Sequence, residues 1–239
     1  MGEKFQKLQE QAKSAASLEG LFCLWKQAHK TEVSEENWKE TCPFDSQEKA
    51  EKNFTWDGHL GGAEKGDVLF VCKESNLSQD EQANEKAFWM QETVLQNYTA
   101  ACDSPQAKRA RTLYHNRLKE ILKKLVENGY SDLQHLEDCA YMNLNKRGGL
   151  NCTSYKKLQN YIKTYSSFIT REMELLQPKI IVFCGCYDGV AEKLFQLDEK
   201  KWKGKPVQAK LNGNTVTLFY VYHPACPKFQ DSLEYIGRN

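Results

Sequence analysis

Short apolar runs alternate with amphipathic stretches along most of the chain. Four of these runs are too short for buried helices and are rich in β-branched and aromatic residues, so they are predicted to be strands: residues 67–72, 139–144, 179–184 and 215–222. Apolar residues at helical spacing predict helices between and beside them, over about 87–99, 103–128, 154–176 and 189–197.

Strands that alternate with helices are typical of a mostly parallel sheet between helical layers. We therefore expect an α/β fold, a three-layer αβα sandwich with a central four-stranded, mostly parallel sheet. Residues 1 to about 30 have helical spacing, and residues 31–65 are polar and turn-rich, so 1–65 is predicted to be an N-terminal helical elaboration of a core over 66–230. The chain contains no internal repeats or low-complexity linkers, which favours a single domain over 1–239.

Composition favours a soluble protein. The hydrophobic fraction is 40%, and no apolar run approaches the ~20 residues that a membrane span needs. The N-terminal residues lack a signal-peptide core, and Gln6 does not fit the myristoylation pattern. A cytoplasmic protein without a membrane partner is the expectation, and no obligatory protein partner is evident.

Cysteine and histidine spacing does not predict a metal centre. The chain has nine cysteines but no C-x-x-C pair, and Cys184-Gly185-Cys186 is the closest approach to one. The five histidines are scattered without metal-ligand spacing. An iron–sulfur or zinc site is only weakly signalled, so we expect no metal and no cofactor.

Positive charge is concentrated in one predicted helix, although the net charge is only +1. The segment from Lys108 to Lys124 contains a single acid, Glu120, and seven basic residues: Lys108, Arg109, Arg111, Arg117, Lys119, Lys123 and Lys124. A second basic patch covers residues 200–205. Two interpretations stay open for the helix, a surface that binds phosphates and an ordinary solvated face.

Three of the predicted strands end in polar residues: Lys73-Glu74-Ser75-Asn76, Asn143-Leu144-Asn145-Lys146 and His223-Pro224. Because the carboxyl ends of parallel strands share one edge of a sheet, we expect Glu74, Asn143 and His223 to lie around one site. A carboxylate can orient water, an amide can read a pyrimidine edge, and an imidazole can donate to an oxygen that becomes anionic. Each residue alone has an ordinary explanation, but their shared location favours a functional site.

These segments resemble the motifs of the uracil-DNA glycosylase superfamily. Residues 68–76 resemble its water-activating motif, Met142-Asn143 resembles the end of its base-reading strand, and Tyr222-His223-Pro224-Ala225 resembles its His-Pro motif. The resemblance covers about residues 66–230. It is strong in the order and spacing of the motifs and loose in their letters.

The resemblance implies a role for each motif residue. Glu74 would position the attacking water, Asn143 would bind the base edge, and His223 would stabilise the departing base. Phe88 or Trp89 would stack on the everted base, with Lys73 and Ser75 beside it. The implied contacts to the DNA backbone are Lys108, Arg109, Arg111, Lys146, Arg147 and Lys228.

Departures from the family pattern bear on the substrate. Cys72 stands in place of the usual Gly, and Ser75 in place of a Pro. Asn76 takes the position of a Tyr that blocks the pyrimidine 5-position in uracil-specific members, and we count it among the catalytic side chains. A smaller residue there would admit a 5-substituted pyrimidine. The expectation is a monofunctional DNA glycosylase for uracil or a bulkier 5-modified cytosine, such as glucosylated hydroxymethylcytosine of phage DNA.

Two alternatives stay open. An amine of Lys73 or Lys146 could attack the sugar, which would add lyase activity. The chain could also be a non-catalytic module that binds DNA or a nucleotide on the same fold. The trio of Glu74, Asn143 and His223 argues against such a module, because simple binding does not need it.

Overall fold

The structure, a computed structural model, describes residues 2–60, 66–76, 105–149, 153–186, 194–197 and 205–237. The chain forms two compact units, each assembled from segments that are distant in sequence. The first unit comprises Met1–Trp56, Lys73–Ala87 and Asn143–Leu175. The second unit comprises Asp57–Cys72, Phe88–Met142 and Leu176–Asn239.

Helices and strands alternate as the sequence predicts. The described α-helices are α1 (Glu3–Lys13), α2 (Leu18–Ser34), α3 (Gln47–Lys52), α4 (Pro105–Glu127), α5 (Tyr155–Thr164), α6 (Ser166–Leu176) and α7 (Phe229–Leu233). The described strands are β1 (Gly58–His59), β2 (Val68–Asn76), β3 (Ala140–Gly149), β4 (Ile180–Cys184), β5 (Val207–Leu211) and β6 (Asn214–Val221). Short 3₁₀ helices cover Asn37–Glu40, Leu136–Asp138 and Glu234–Gly237.

The strands are ordered β1-β3-β2-β4-β6-β5 in one sheet. Strands β1, β4, β5 and β6 belong to the second unit, together with residues 68–72 of β2 and 140–142 of β3. Strand β2 pairs with β4 in parallel, from Val68 opposite Ile180 to Val71 opposite Phe183. Strand β4 pairs with β6 in parallel, and Cys184 is the last residue of this register. The edge strands β1 and β5 run antiparallel to β3 and β6. The sheet is therefore six-stranded and mixed, which corrects the predicted four-stranded, mostly parallel sheet.

Strand β5 was not predicted, and its origin lies in a tight turn. Strands β5 and β6 form a hairpin in which Leu211 pairs with Asn214. The two turn residues, Asn212 and Gly213, have φ angles of 46° and 79°. Asn-Gly is the residue pair that tolerates positive φ at both positions of a two-residue turn, so it folds the chain back into an antiparallel edge strand.

The central strands of the second unit are buried on both faces. Val68, Phe70, Val182 and Phe219 point into a core that also holds Leu118, Ile121, Leu122 and Leu125 of α4. The alternating residues of β2 and β4, which are Leu69, Val71, Ile181 and Phe183, are also buried. This is the burial that continuous apolar runs predict.

Helices α1, α2, α5 and most of α6 belong to the first unit, where two predicted helices are each divided in two. The predicted helix over 1–30 breaks before Ser17, whose side chain accepts from the Gly20 N–H and caps α2. The predicted helix over 154–176 breaks at Tyr165. The strand predicted over 139–144 extends instead to Gly149.

The predicted helix over 87–99 and most of the one over 189–197 lie outside the described residues. No helix in the described part of the chain combines the length and the apolar character that crossing a membrane requires.

Candidate functional site

Glu74 lies near the end of β2, and an amide holds one side of its carboxyl group. Nδ2 of Asn145 on β3 donates to Glu74 Oε2 at 3.1 Å. Oδ1 of Asn145 accepts from the backbone N–H of Arg147 at 3.0 Å, which identifies the end of the amide that faces Glu74. The second carboxylate oxygen, Oε1, is buried and has no hydrogen-bond partner among the described residues. Oε1 is therefore the oxygen of Glu74 that can accept a bond from a further group.

The surroundings of Glu74 shift the pKa of its carboxyl group. Burial raises the pKa of the Glu74 carboxyl above its ordinary value, because desolvation disfavours the charged form. Hydrogen bonds from Asn145 and Thr153 and the positive charge of Lys73 oppose that rise in pKa. A carboxyl whose pKa is raised toward neutrality is typical of catalytic acids and bases, although structural groups can also be shifted.

Two further predicted base-binding residues belong to the first unit. Asn143 is fully buried on β3, and its role in binding a base stays a prediction. Lys73 is half-buried, and its Nζ lies 5.2 Å from the centre of the Tyr155 ring in a cation–π contact.

Lys146 and Arg147 are interior residues, which corrects their prediction as DNA-backbone contacts. Both side chains are 0% exposed. Lys146 Nζ lies 2.8 Å from Glu172 Oε1, and Arg147 Nη2 lies 2.6 Å from Glu32 Oε2. A buried cation is retained when an anion and hydrogen bonds satisfy it, and these two cations are satisfied inside the first unit. They are not available to phosphates at the surface.

The burial of Lys146 also weighs against its role as a lyase nucleophile. An amine nucleophile must be unprotonated and must reach the sugar. Lys146 is enclosed, paired with Glu172 and flanked by the rings of Phe22 and Trp25 at 5.4 and 5.3 Å. These contacts enclose the amine and hold it in a fixed position.

His223 belongs to the second unit, immediately after Tyr222, the residue that follows β6. The backbone N–H of Ala225 donates to His223 Nδ1 at 3.1 Å. When the ring is neutral, Nδ1 is therefore the acceptor, and the proton lies on Nε2. Gly185, after β4, packs against the backbone of His223 with a φ of 71°. The bond to Nδ1 therefore defines which tautomer the neutral ring adopts.

Two residues of α4, Tyr114 and Arg117, contact this loop, and no pattern in the sequence indicated these contacts. The ring of Tyr114 lies 5.5 Å from the His223 ring. Arg117 donates from Nη1 to the carbonyl oxygens of Pro224 and Cys226. Arg117 counted only as one of seven basic residues, and nothing in a charge pattern separates an inward-facing arginine from an outward-facing one.

The remaining predicted DNA contacts divide between exposed residues and undescribed ones. Arg109 and Lys228 are exposed, so their side chains are accessible to a phosphate. The side chains of Ser75, Asn76, Lys108 and Arg111, and all of Phe88 and Trp89, lie outside the described part.

Thiol and phenol groups are clustered beneath the His223 loop. Cys72 Sγ lies 2.8 Å from Tyr114 Oη, which lies 3.0 Å from Tyr141 Oη. Burial raises the pKa of the Tyr114 phenol well above its ordinary value, and the adjacent Cys72 adds to that rise. The described residues contain no group of three or more histidine, cysteine, aspartate or glutamate side chains arranged to hold a metal ion.

Comparison with models of known protein families gives no match for this chain, and comparison with curated proteins gives none either. The residues and their geometry therefore carry the functional assignment.

Proposed function

We propose that the protein is a DNA glycosylase that everts a pyrimidine nucleotide and hydrolyses its N-glycosidic bond. The observation that carries the proposal is the setting of the Glu74 carboxyl near the end of a buried strand. Asn145 holds its Oε2, and its buried Oε1 has no hydrogen-bond partner among the described residues. Burial also raises the pKa of this carboxyl. Such a group is suited to hold and polarise a water molecule. A surface ion pair would show neither the burial nor the unpaired oxygen.

The proposed reaction is a displacement at the sugar. Oε1 of Glu74 accepts a hydrogen bond from water, whose oxygen forms the new bond to C1′. The bond from C1′ to the base nitrogen breaks, and its electron pair leaves with the base. The carboxylate charge favours the positive charge that develops on the sugar. Glu74 takes one proton from the water as the abasic C1′ hydroxyl forms and returns it to solvent, from which the departing base anion is protonated.

His223 has the matching role on the leaving group. As the glycosidic bond breaks, negative charge accumulates on the carbonyl oxygen of the departing base. The Nε2–H of His223, defined by the Ala225 bond to Nδ1, is a donor that can stabilise this oxygen. Asn143 would bind the base edge, and no metal ion takes part in these steps.

Extrusion of the nucleotide must be offset by contacts to DNA. Taking a base out of the stack costs a few kcal/mol before chemistry begins. Arg109 and Lys228 are exposed cations that can bind phosphates, so binding should weaken as salt rises. The substrate class rests on the resemblance to the uracil-DNA glycosylase superfamily, in which Asn76 takes the position of the Tyr of uracil-specific members. A residue smaller than tyrosine would leave room at the pyrimidine 5-position. Uracil and 5-modified cytosine, including glucosylated hydroxymethylcytosine, are the bases proposed.

The test is base release from defined DNAs. Single- and double-stranded substrates carrying uracil, hypoxanthine, hydroxymethylcytosine or its glucosylated form would be incubated with the protein, and released bases identified by mass spectrometry. Glu74→Gln and His223→Ala are expected to lower release at least about 100-fold, while Glu10→Gln, at an exposed carboxylate, should match wild type. Tight DNA binding without release of any base would reject the enzyme and favour the binding module.

A further inference from the structure

Arg117 differs from the other basic residues of α4 by facing inward. Its guanidinium is half-buried, and Cζ lies 5.0 Å from the centre of the Phe229 ring. Nη1 donates to the carbonyl oxygen of Pro224 and to that of Cys226, the latter at 2.9 Å. Because the guanidinium of Arg117 already donates to two carbonyl oxygens and lies against a ring, it is not expected to bind a phosphate.

The two carbonyls bracket the residue that defines the His223 tautomer. Ala225 lies between Pro224 and Cys226 in the chain, and its N–H donates to His223 Nδ1. The N–H of Cys226 in turn donates to the His223 carbonyl at 2.7 Å, which closes a tight turn. The Pro224 carbonyl belongs to the same peptide group as the Ala225 N–H, so holding that carbonyl fixes the plane of the N–H, and the bond to the Cys226 carbonyl holds the far end of the turn. Charge-assisted bonds from one arginine are strong enough to hold such a turn.

The same face of α4 also meets the imidazole ring itself. Tyr114 lies three residues before Arg117, so the two side chains project from one side of the helix. The Tyr114 ring is 5.5 Å from the His223 ring, and its hydroxyl is anchored by Cys72 and Tyr141. The imidazole is thus restrained at its face by Tyr114 and at Nδ1 by the turn that Arg117 holds.

We propose that Arg117 is a positioning residue, which holds the turn 223–226 so that His223 keeps Nδ1 as an acceptor and carries the proton of its neutral ring on Nε2. This inference rests on the proposed function, since His223 is the donor to the departing base there. Arginine is needed because its planar group donates to the carbonyls and stacks on Phe229 at once, which a lysine ammonium does not do.

The test compares Arg117→Met and Arg117→Lys with Arg109→Met, an exposed arginine on the same helix. The first readout is independent of activity: NMR of ¹⁵N-histidine-labelled protein, with the His223 signals assigned from His223→Ala. At a pH where the imidazole is neutral, the wild-type ring is expected to carry its proton on Nε2. Arg117→Met should shift this pattern toward a mixture of tautomers, and Arg109→Met should leave it at the wild-type positions.

The second readout is the division between kcat and KM. Because a displacement of about 1 Å can cost two orders of magnitude, Arg117→Met is expected to lower kcat about 10- to 100-fold with little change in KM. Arg117→Lys should lie between Arg117→Met and wild type. Arg109→Met should instead raise KM and reduce the salt dependence of binding.

These outcomes separate the inference from the proposed function. Wild-type His223 signals and kcat in Arg117→Met would overturn the inference, as would a change confined to KM and salt dependence. If Arg117→Met does not fold, wild-type signals and kcat in Arg117→Lys would overturn it. If the wild-type protein releases no base from any DNA but Arg117→Met still changes the His223 tautomer, the positioning role stands and the glycosylase proposal fails.

Discussion

Gly149 lies directly against the carboxyl group of Glu74 and leaves no room for a side chain. A methyl group added to Gly149 would lie 2.6 Å from Glu74 Cγ and closer still to the carboxyl atoms. Real Cβ atoms do not approach other heavy atoms this closely, so the Glu74 side chain would have to move. The glycine at the end of β3 therefore helps to define where the proposed water-binding carboxylate lies.

Gly149→Ala is expected to displace the Glu74 carboxyl and to lower kcat for base release about 10- to 100-fold, because a catalytic group moved by about 1 Å loses much of its effect. Steady-state kinetics on the substrate identified by base release would measure this. Gly20→Ala is the control, since its added Cβ would come no closer than 3.3 Å to Ser17 Oγ. Wild-type kcat in Gly149→Ala would mean that the position of Glu74 does not limit the reaction.

A second glycine stands in the same relation to His223. Gly185 has a φ of 71°, and a Cβ there would lie 2.7 Å from His223 Cβ and 2.9 Å from its backbone nitrogen. Gly213 has a similar φ of 79° but meets nothing within 4 Å. Alanine at either position should cost about 1–2 kcal/mol of stability from the left-handed backbone. Only Gly185→Ala should also lower kcat and disturb the His223 signals.

Denaturant unfolding and base-release kinetics on Gly185→Ala and Gly213→Ala would check this prediction. Because the two variants share the backbone strain, the comparison isolates the contact with His223. Equal kcat values for the pair would show that the fit of Gly185 against the His-Pro turn has no part in catalysis.

The central strands could be predicted because their signals are local, and the same signals drew attention to Glu74 and His223. The apolar runs of β2, β4 and β6 are each continuous over a few residues, and those of β2 and β6 lie within a few positions of Glu74 and His223. The Asn212-Gly213 pair was an equally local signal, since it predicts a two-residue hairpin turn and with it strand β5, which was missed. Its consequence is the mixed sheet.

The interior of the first unit could not be predicted because its signals are not local. Arg147 pairs with Glu32, 115 positions away, so a polar triplet after a strand looked like a surface loop. Arg117 likewise meets carbonyls 107 and 109 positions away. The direction in which a cation points depends on such partners, and charge counting along the chain does not contain that information.

The raised pKa of Glu74 leads us to expect that the stability of the protein depends on pH. Because burial raises its pKa, the folded protein binds the Glu74 proton more tightly than the unfolded chain does. The stability that this proton contributes is present at a pH below the unfolded-state pKa and is lost as pH rises through the folded-state pKa. Glu74→Gln removes the ionisation, so its Tm should exceed that of wild type at neutral pH.

Thermal unfolding of wild type and Glu74→Gln from neutral to acidic pH would check this expectation. The difference in Tm should shrink as the pH falls below about 4, where the carboxyl becomes protonated in both states. Base release by wild type should fall on the same acidic side, because the carboxylate is the active form. A Tm of Glu74→Gln equal to or below that of wild type at neutral pH would contradict the desolvation of Glu74.

The buried pair of Arg147 and Glu32 should matter to stability far more than any surface ion pair. Tyr165 Oη donates to Glu32 Oε2 at 2.6 Å, and Thr41 Oγ1 donates to Glu32 Oε1 at 2.8 Å. Arg147→Met would leave the Glu32 charge buried without its cation, so it is expected to lower the free energy of unfolding by about 3–5 kcal/mol. Lys179→Met, which breaks an exposed pair with Asp67, should remain close to wild type.

Urea unfolding of Arg147→Met, Glu32→Gln and the double variant would separate the pair from its parts. The double variant should be less destabilised than the sum of the single variants, because removing both charges relieves the uncompensated one. Additive losses would mean that the two charges do not depend on each other. If Arg147→Met keeps wild-type stability but binds DNA more weakly, Arg147 would be a DNA contact after all, despite its burial.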